Sequence, residues 1–229
     1  RLRLFCFHHA GGQAEFFNNW ADFLYPDIEV LALQLPGRSY RVKEKLFTSF
    51  DSLLPVVTKK ITPFLKTDKP FAFFGHSLGS LVAFELARRL RHRNLVWLVV
   101  SAMKAPQIRS YLPKLSELPD MDLVEVIRTL AGTPDSVLDN KNLMQAMLPS
   151  IKADFQVSES YQYIPGEPLD IPISAFGGDE DATVNFTELD AWRKQTNQTF
   201  SLSRFAGHHF YLEKIEIQLL EKIREKLLK

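Results

Sequence analysis

A chain of 229 residues is long enough for one well-buried domain, or for one domain carrying a large insertion. Its 28 Lys and Arg nearly balance 27 Asp and Glu, so no strong basic or acidic balance marks it for nucleic acid or a membrane surface. No stretch reaches the roughly 18–20 apolar residues of a membrane span, and a single cysteine excludes an internal disulfide, as suits a reducing cytoplasm.

The first predicted strand is Leu2–Phe7, with Cys6 expected to be a buried strand residue. Residues 1–10 lack the apolar segment and cleavage site of a signal peptide. Without an initiator Met so close to a strand, further native residues are expected to precede Arg1. A glycine-containing loop follows, His8-His9-Ala10-Gly11-Gly12, then a predicted helix from about Phe16 to Leu24 and a strand over Ile28–Leu35. After the turn Leu35-Pro36-Gly37-Arg38, the cations Arg38, Arg41, Lys43 and Lys45 read as a solvated face, with docking of an acidic partner as the sharper alternative. A helix is predicted over Ser52–Leu65 and a strand over Phe71–Phe74. The helix after Ser77 places Leu78, Leu81, Val82, Leu86 and Leu90 on one side, and Leu95–Ala102 is the next strand. Strands over Ile171–Phe176 and Phe200–Phe205 and helices over Thr187–Gln195 and Glu213–Leu228 complete the alternation. Such a series implies a mostly parallel sheet with helices on both faces, an α/β fold, and several strands are apolar without alternation, as that burial requires. The 18 Phe imply an aromatic core or an apolar channel, which composition does not separate.

Residues 104–166 break the rhythm. They read as helices, Asp120–Leu130 and Asn142–Tyr163, the second interrupted at Pro149. Three of the four Met (Met121, Met144 and Met147) fall here. A helical insertion at this place is expected to form a lid over the sheet's carboxyl edge, where adaptable Met-rich surface suits flexible apolar ligands.

The chemistry centres on Gly75-His76-Ser77-Leu78-Gly79, a Gly-x-Ser-x-Gly between a strand and a helix. Residues two before and two after the serine must lack bulk for so tight a turn, and the hydroxyl then stands near the positive end of the following helix. His76 reads as a packing or substrate-edge residue. A serine nucleophile needs a base, and the base an orienting acid, which in this type of sheet follow later in the order acid, histidine. Asp179, Glu180 and Asp181 compete for the acid. Asp181 is favoured by a Gly-x-x-Asp-x-x-Val arrangement from Gly178 to Val184. His208 and His209 are adjacent candidates for the base, and spacing alone leaves both open. An oxyanion hole is expected from the backbone N–H of Leu78 and of a residue in the loop after the first strand, Ala10 being favoured. His8 and His9 lack a third clustered ligand, so no metal is expected.

Together these residues resemble the stand-alone, type II thioesterases of nonribosomal peptide and polyketide synthesis, which are α/β-hydrolases. The resemblance runs over essentially the whole chain: the opening Phe5-Cys6-Phe7-His8-His9-Ala10-Gly11-Gly12, Leu35-Pro36-Gly37-Arg38, Gly75-His76-Ser77-Leu78-Gly79, Leu130-Ala131-Gly132-Thr133-Pro134, Ala153-Asp154-Phe155 and Gly207-His208-His209-Phe210-Tyr211-Leu212. It departs at His8, where the family usually has Pro. The family's Gly-x-His-Phe ending selects His209 as base and leaves His208 a loop or capping residue.

The resemblance implies one α/β-hydrolase domain over residues 1–229, with the lid at 104–166. It implies hydrolysis of acyl thioesters on the phosphopantetheine arm of acyl or peptidyl carrier proteins by Ser77, Asp181 and His209, with Ala10 and Leu78 forming the oxyanion hole. No diffusible cofactor, metal, nucleic acid or membrane is implied, and a cytoplasmic monomer is expected. The rival readings are a carboxylester hydrolase acting on small free esters, which would use the same machinery, and a non-catalytic protein that binds an acyl ligand.

Overall fold

The computed structural model describes residues 1–109 and 113–228; positions 110–112, inside the predicted insertion, lie outside them. Six strands, β1 (Leu2–Phe7), β2 (Ile28–Leu33), β3 (Phe71–His76), β4 (Leu95–Ser101), β5 (Ile173–Gly178) and β6 (Phe200–Phe205), form one sheet in the order β2-β1-β3-β4-β5-β6. Every pairing is parallel. The helices are α1 (Asn18–Leu24), α2 (Phe50–Ile61), α3 (Leu78–Leu90), α4 (Asp120–Leu130), α5 (Asp135–Leu138), α6 (Lys141–Glu159), α7 (Phe186–Asp190), α8 (Tyr211–Lys214) and α9 (Glu216–Leu227).

The unbroken apolar runs are explained by two cores, one on each face of the sheet. Phe5, Phe7, Phe71 and Phe73 point into a core shared with Leu53 and Val57 of α2 and Val82 and Leu86 of α3. The intervening Leu4, Cys6, Ala72 and Phe74 point the other way, into a core with Trp20 of α1 and Leu219, Leu220 and Ile223 of α9. Much of the phenylalanine is therefore core rather than channel. Phe5, Phe7 and Phe73 meet edge to face at 5.5–5.8 Å, and Phe74 closes on Trp20 at 4.7 Å. Each such buried side chain contributes roughly 1.5–3 kcal/mol. Cys6 lies wholly within the second core, its Sγ 3.9 Å from the Leu4 carbonyl oxygen, and burial pushes its thiol pKa well up.

Between β4 and β5, helices α4, α5 and α6 gather around a third small core of Leu123, Ile127, Leu138, Met144, Leu148 and Ile151. Here the structure corrects one expectation. α6 runs unbroken through Pro149, because the proline φ is itself helical and Leu148 and Ile151 are buried on either side, which outweighs the lost N–H. The Asn140 side chain caps the helix by accepting from the N–H groups of Asn142 and Leu143. Other predicted helices are subdivided, among them the one after β5 and the C-terminal one. The one after β5 begins at an Asn185–Glu188 capping box and ends as the 3₁₀ turn Ala191–Gln195. The C-terminal one breaks at Ile215, which leaves helical geometry at φ −119° and ψ 29°.

Candidate active site

The turn between β3 and α3 brings backbone closer to backbone than any side chain would permit. A Cβ on Gly75 would lie 2.2 Å from the Gly79 carbonyl oxygen, and one on Gly79 would lie 2.0 Å from that of Phe7. Only the two glycines let strand, helix and opening loop meet. Ser77, between them, is held at φ 54° and ψ −121°, a conformation costly for a residue with a Cβ and kept only where its surroundings fix it. Those surroundings are hydrogen bonds to the end of β4. Ser77 N–H donates to the Ser101 carbonyl at 2.8 Å. Ser80 Oγ lies 2.7 Å from the Gly75 oxygen and accepts the Ser101 N–H at 3.0 Å. The role of Ser80 left no mark in the motif itself.

The acid and base candidates converge from the loops after β5 and β6. His209 Nδ1 donates to Asp181 Oδ2 at 2.8 Å. The other oxygen, Oδ1, accepts the Thr183 N–H at 2.8 Å and its hydroxyl at 2.7 Å. The two side chains are 9% and 1% exposed, for His209 and Asp181 respectively. Burial alone would raise the Asp181 carboxyl pKa, but the hydrogen bonds from His209 and Thr183 outweigh it and hold the group below the ordinary carboxylate range. With Nδ1–H turned to the carboxylate, Nε2 is the ring position left to accept a proton.

Asp179 and Glu180 take other parts. Asp179 Oδ1 accepts the Gly207 N–H at 2.9 Å and ties the two loops together. Glu180 is exposed and lies 3.1 Å from Nε2 of His208, whose side chain is 47% exposed. The tandem histidines thus face different surroundings.

Ser77 stands at the same carboxyl edge as this pair. Its neighbour His76 is buried with its ring 5.3 Å from that of His209. His76 Nδ1 is 2.9 Å from Ser101 Oγ, which is 2.7 Å from the Tyr211 hydroxyl, so a polar chain joins the serine turn to the segment after His209. Among the described residues Ser77 Oγ makes no hydrogen bond.

The opening loop lies directly against the start of α3. Among the described residues no acceptor takes the N–H of Ala10 or of Leu78. His8 is buried and its pKa falls to about 4, chiefly through that burial, so it is neutral near pH 7. Burial likewise holds His9 and His76 well below the ordinary histidine range. Among the described residues no three His, Cys, Asp or Glu side chains are grouped to hold a metal ion.

The basic stretch after β2 does not form one face. Arg38 is buried and paired with Asp154 of α6, both of its outer nitrogens reaching the carboxylate, while Arg41 pairs with Glu44. Neither the solvated nor the docking reading holds for Arg38. Asp154 was legible only as part of a motif, with no partner assigned to it.

A parallel sheet with a serine on a strained strand-to-helix turn, and an acid–histidine pair arriving later in the chain at the same edge, defines an α/β-hydrolase. Within that class the chain belongs to the thioesterase family, whose domain model matches residues 2–227. It is 41% identical over 230 residues to the gramicidin S biosynthesis protein GrsT of Aneurinibacillus migulanus, covering 99% of this chain and 89% of that one. Among solved structures it superposes on the type II thioesterase BorB from the borrelidin biosynthetic cluster with a TM-score of 0.89, at 38% identity, covering 98% of this chain and 91% of BorB. It also superposes on the RedJ thioesterase of the prodiginine pathway in Streptomyces coelicolor with a TM-score of 0.92, at 33% identity, covering 99% and 90% of the two chains.

Proposed function

We propose that this thioesterase hydrolyses acyl groups from the phosphopantetheine arm of acyl or peptidyl carrier proteins, releasing stalled chains from a nonribosomal peptide or polyketide synthase. The observation that carries the reading is the buried Asp181–His209 pair at the same sheet edge as the strained Ser77, in a chain this similar to a type II thioesterase of a biosynthetic cluster. Ser77 Oγ attacks the thioester carbonyl while His209 Nε2 takes its proton. The N–H groups of Leu78 and Ala10 receive the developing oxyanion. The carbon–sulfur bond breaks, His209 protonates the departing phosphopantetheine thiolate, and a water deprotonated by His209 then releases the acid and restores Ser77. Asp181 keeps the imidazole in the tautomer that can accept. No diffusible cofactor enters this chemistry. Helices α4, α5 and α6 serve as the lid, with Met121 and Leu143 as its exposed large apolar residues, and the enzyme acts as a cytoplasmic monomer.

The test compares carrier proteins loaded with varied acyl groups against free p-nitrophenyl esters of the same acids. The expected result is a kcat/KM at least about tenfold higher on the carrier thioesters, roughly 1.4 kcal/mol of transition-state binding. A preference for the free esters would replace this function with a carboxylester hydrolase. Failure of a fluorophosphonate to label Ser77 would point instead to a non-catalytic acyl-binding protein.

The acid assignment makes its own prediction. Asp181→Asn should lower kcat by about 10²–10⁴-fold by releasing the tautomer of His209, and Asp179→Asn by much less. Because the folded pKa of Asp181 lies below its unfolded value of about 3.9, its charge stabilises the fold above that pH and the contribution fades as pH falls through the folded value. The melting-temperature gap between wild type and Asp181→Asn should therefore narrow on acidification. A larger activity loss in Asp179→Asn would reverse the assignment.

A further inference from the structure

Asp154 Oδ2 does more than meet a guanidinium, since it also accepts the backbone N–H of Gly11 at 2.7 Å. Arg38 Nη2 donates to Asp154 Oδ1 at 2.7 Å, and Nη1 reaches both Asp154 Oδ2 and, at 3.3 Å, the Gly12 carbonyl oxygen. Arg38 Nε donates to the Pro36 carbonyl at 3.3 Å. The two side chains are only 5% and 4% exposed. Three segments distant in sequence thus close on one point: the opening loop, the turn after β2 and the middle of α6.

Gly11 is also clasped sterically. It sits at φ +75°, and a Cβ there would come within 2.7 Å of Ile151 Cγ1, one turn before Asp154 on α6. The N–H that Asp154 holds belongs to the peptide plane immediately after Ala10. Anchoring that plane restricts the Ala10 ψ, and so narrows the directions that Ala10's own N–H can take. A buried charged pair costs desolvation on both partners and is often no more stabilising than an apolar pair of similar volume, so stability alone is a weak reason for its presence.

We infer that Arg38 and Asp154 are positioning residues that hold the opening loop so that the Ala10 N–H meets the oxyanion, making helix α6 part of the catalytic frame. The inference rests on the Ala10 assignment made under the proposed function. The carboxylate supplies the acceptor for Gly11, and Arg38 aims that carboxylate while donating to the Gly12 carbonyl. Misplacing one oxyanion donor costs up to about 10²–10³ in kcat.

Two double variants separate positioning from packing. Arg38→Gln/Asp154→Asn removes both charges but keeps an acceptor for Gly11, whereas Arg38→Met/Asp154→Leu keeps volume and removes the acceptor. With p-nitrophenyl butyrate as the probe, the polar pair is expected to keep kcat within about fivefold of wild type. The apolar pair is expected to lose about 10–100-fold in kcat, with KM changed less than about threefold and the fold retained. Equal kcat in the two double variants would overturn the inference. Backbone amide exchange supplies a reading that survives misfolding of the apolar pair: the Gly11 N–H should exchange slowly in wild type and in the polar pair, and fast exchange in wild type would also overturn it. Use of a free ester keeps this outcome separate from the carrier-protein reading, and amide exchange needs no turnover at all.

Discussion

Ser77→Ala is expected to lower turnover of an acyl thioester by about 10⁴–10⁶-fold while leaving the melting temperature nearly unchanged. The two halves have separate causes. The activity falls because no other group in the proposed mechanism can form the acyl-enzyme, and removing a nucleophile that acts as one unit with its base costs about as much as removing the whole unit. Stability is spared because the Ser77 hydroxyl makes no hydrogen bond among the described residues. The strain at φ 54° is a property of the backbone that alanine inherits unchanged. The turn itself is held by Ser77 N–H, Ser80 and the two glycines, none of which the substitution touches. Steady-state hydrolysis and thermal unfolding on the same preparation check both halves. Residual turnover within tenfold of wild type would remove Ser77 from the mechanism.

The second large effect separates two adjacent residues of the same type. His209→Ala should cost a similar factor, on the order of 10⁴ or more in kcat, whereas His208→Ala should stay within about threefold of wild type. His209 is buried and hydrogen-bonded to a carboxylate that is itself fixed by Thr183. Removing its ring takes away the proton acceptor and leaves the Asp181 charge without its imidazole, so a drop in melting temperature should accompany the loss of rate. His208 is half exposed, and its contacts are the Glu180 backbone oxygen and carboxylate at the surface, an arrangement worth little in water. The measurement is kcat for each variant on one thioester. A greater loss in His208→Ala would invert the assignment of the base.

The strands were legible to within two residues at each end because their apolar runs stop at turn-forming residues and because burial on both faces removes the need for alternation. The serine turn was legible because tight packing left glycine at two fixed offsets. Asp181 could be preferred over Asp179 by spacing, and the structure gives the physical distinction: one carboxylate faces His209, the other the Gly207 N–H. Much else depends on residues far apart in the chain. The Arg38–Asp154 pair spans 116 positions, so a cation in a basic stretch and an acid in a helix gave no sign of belonging together. The same is true of the chain from His76 through Ser101 to Tyr211. Pro149 misled for the opposite reason, since a strong local rule was overridden by apolar packing on both sides.

The concealment of Cys6 has a practical side. The chain has one sulfhydryl, and it lies on β1 with no exposed surface inside a tightly packed core, protonated and unreachable by thiol-directed reagents. Residues 1–229 therefore offer no thiol to maleimides. A cysteine placed at the exposed Met121 of α4 would be the single addressable thiol within residues 1–229, so a fluorophore or spin label there could follow displacement of the helical insertion during turnover without Cys6 first being replaced.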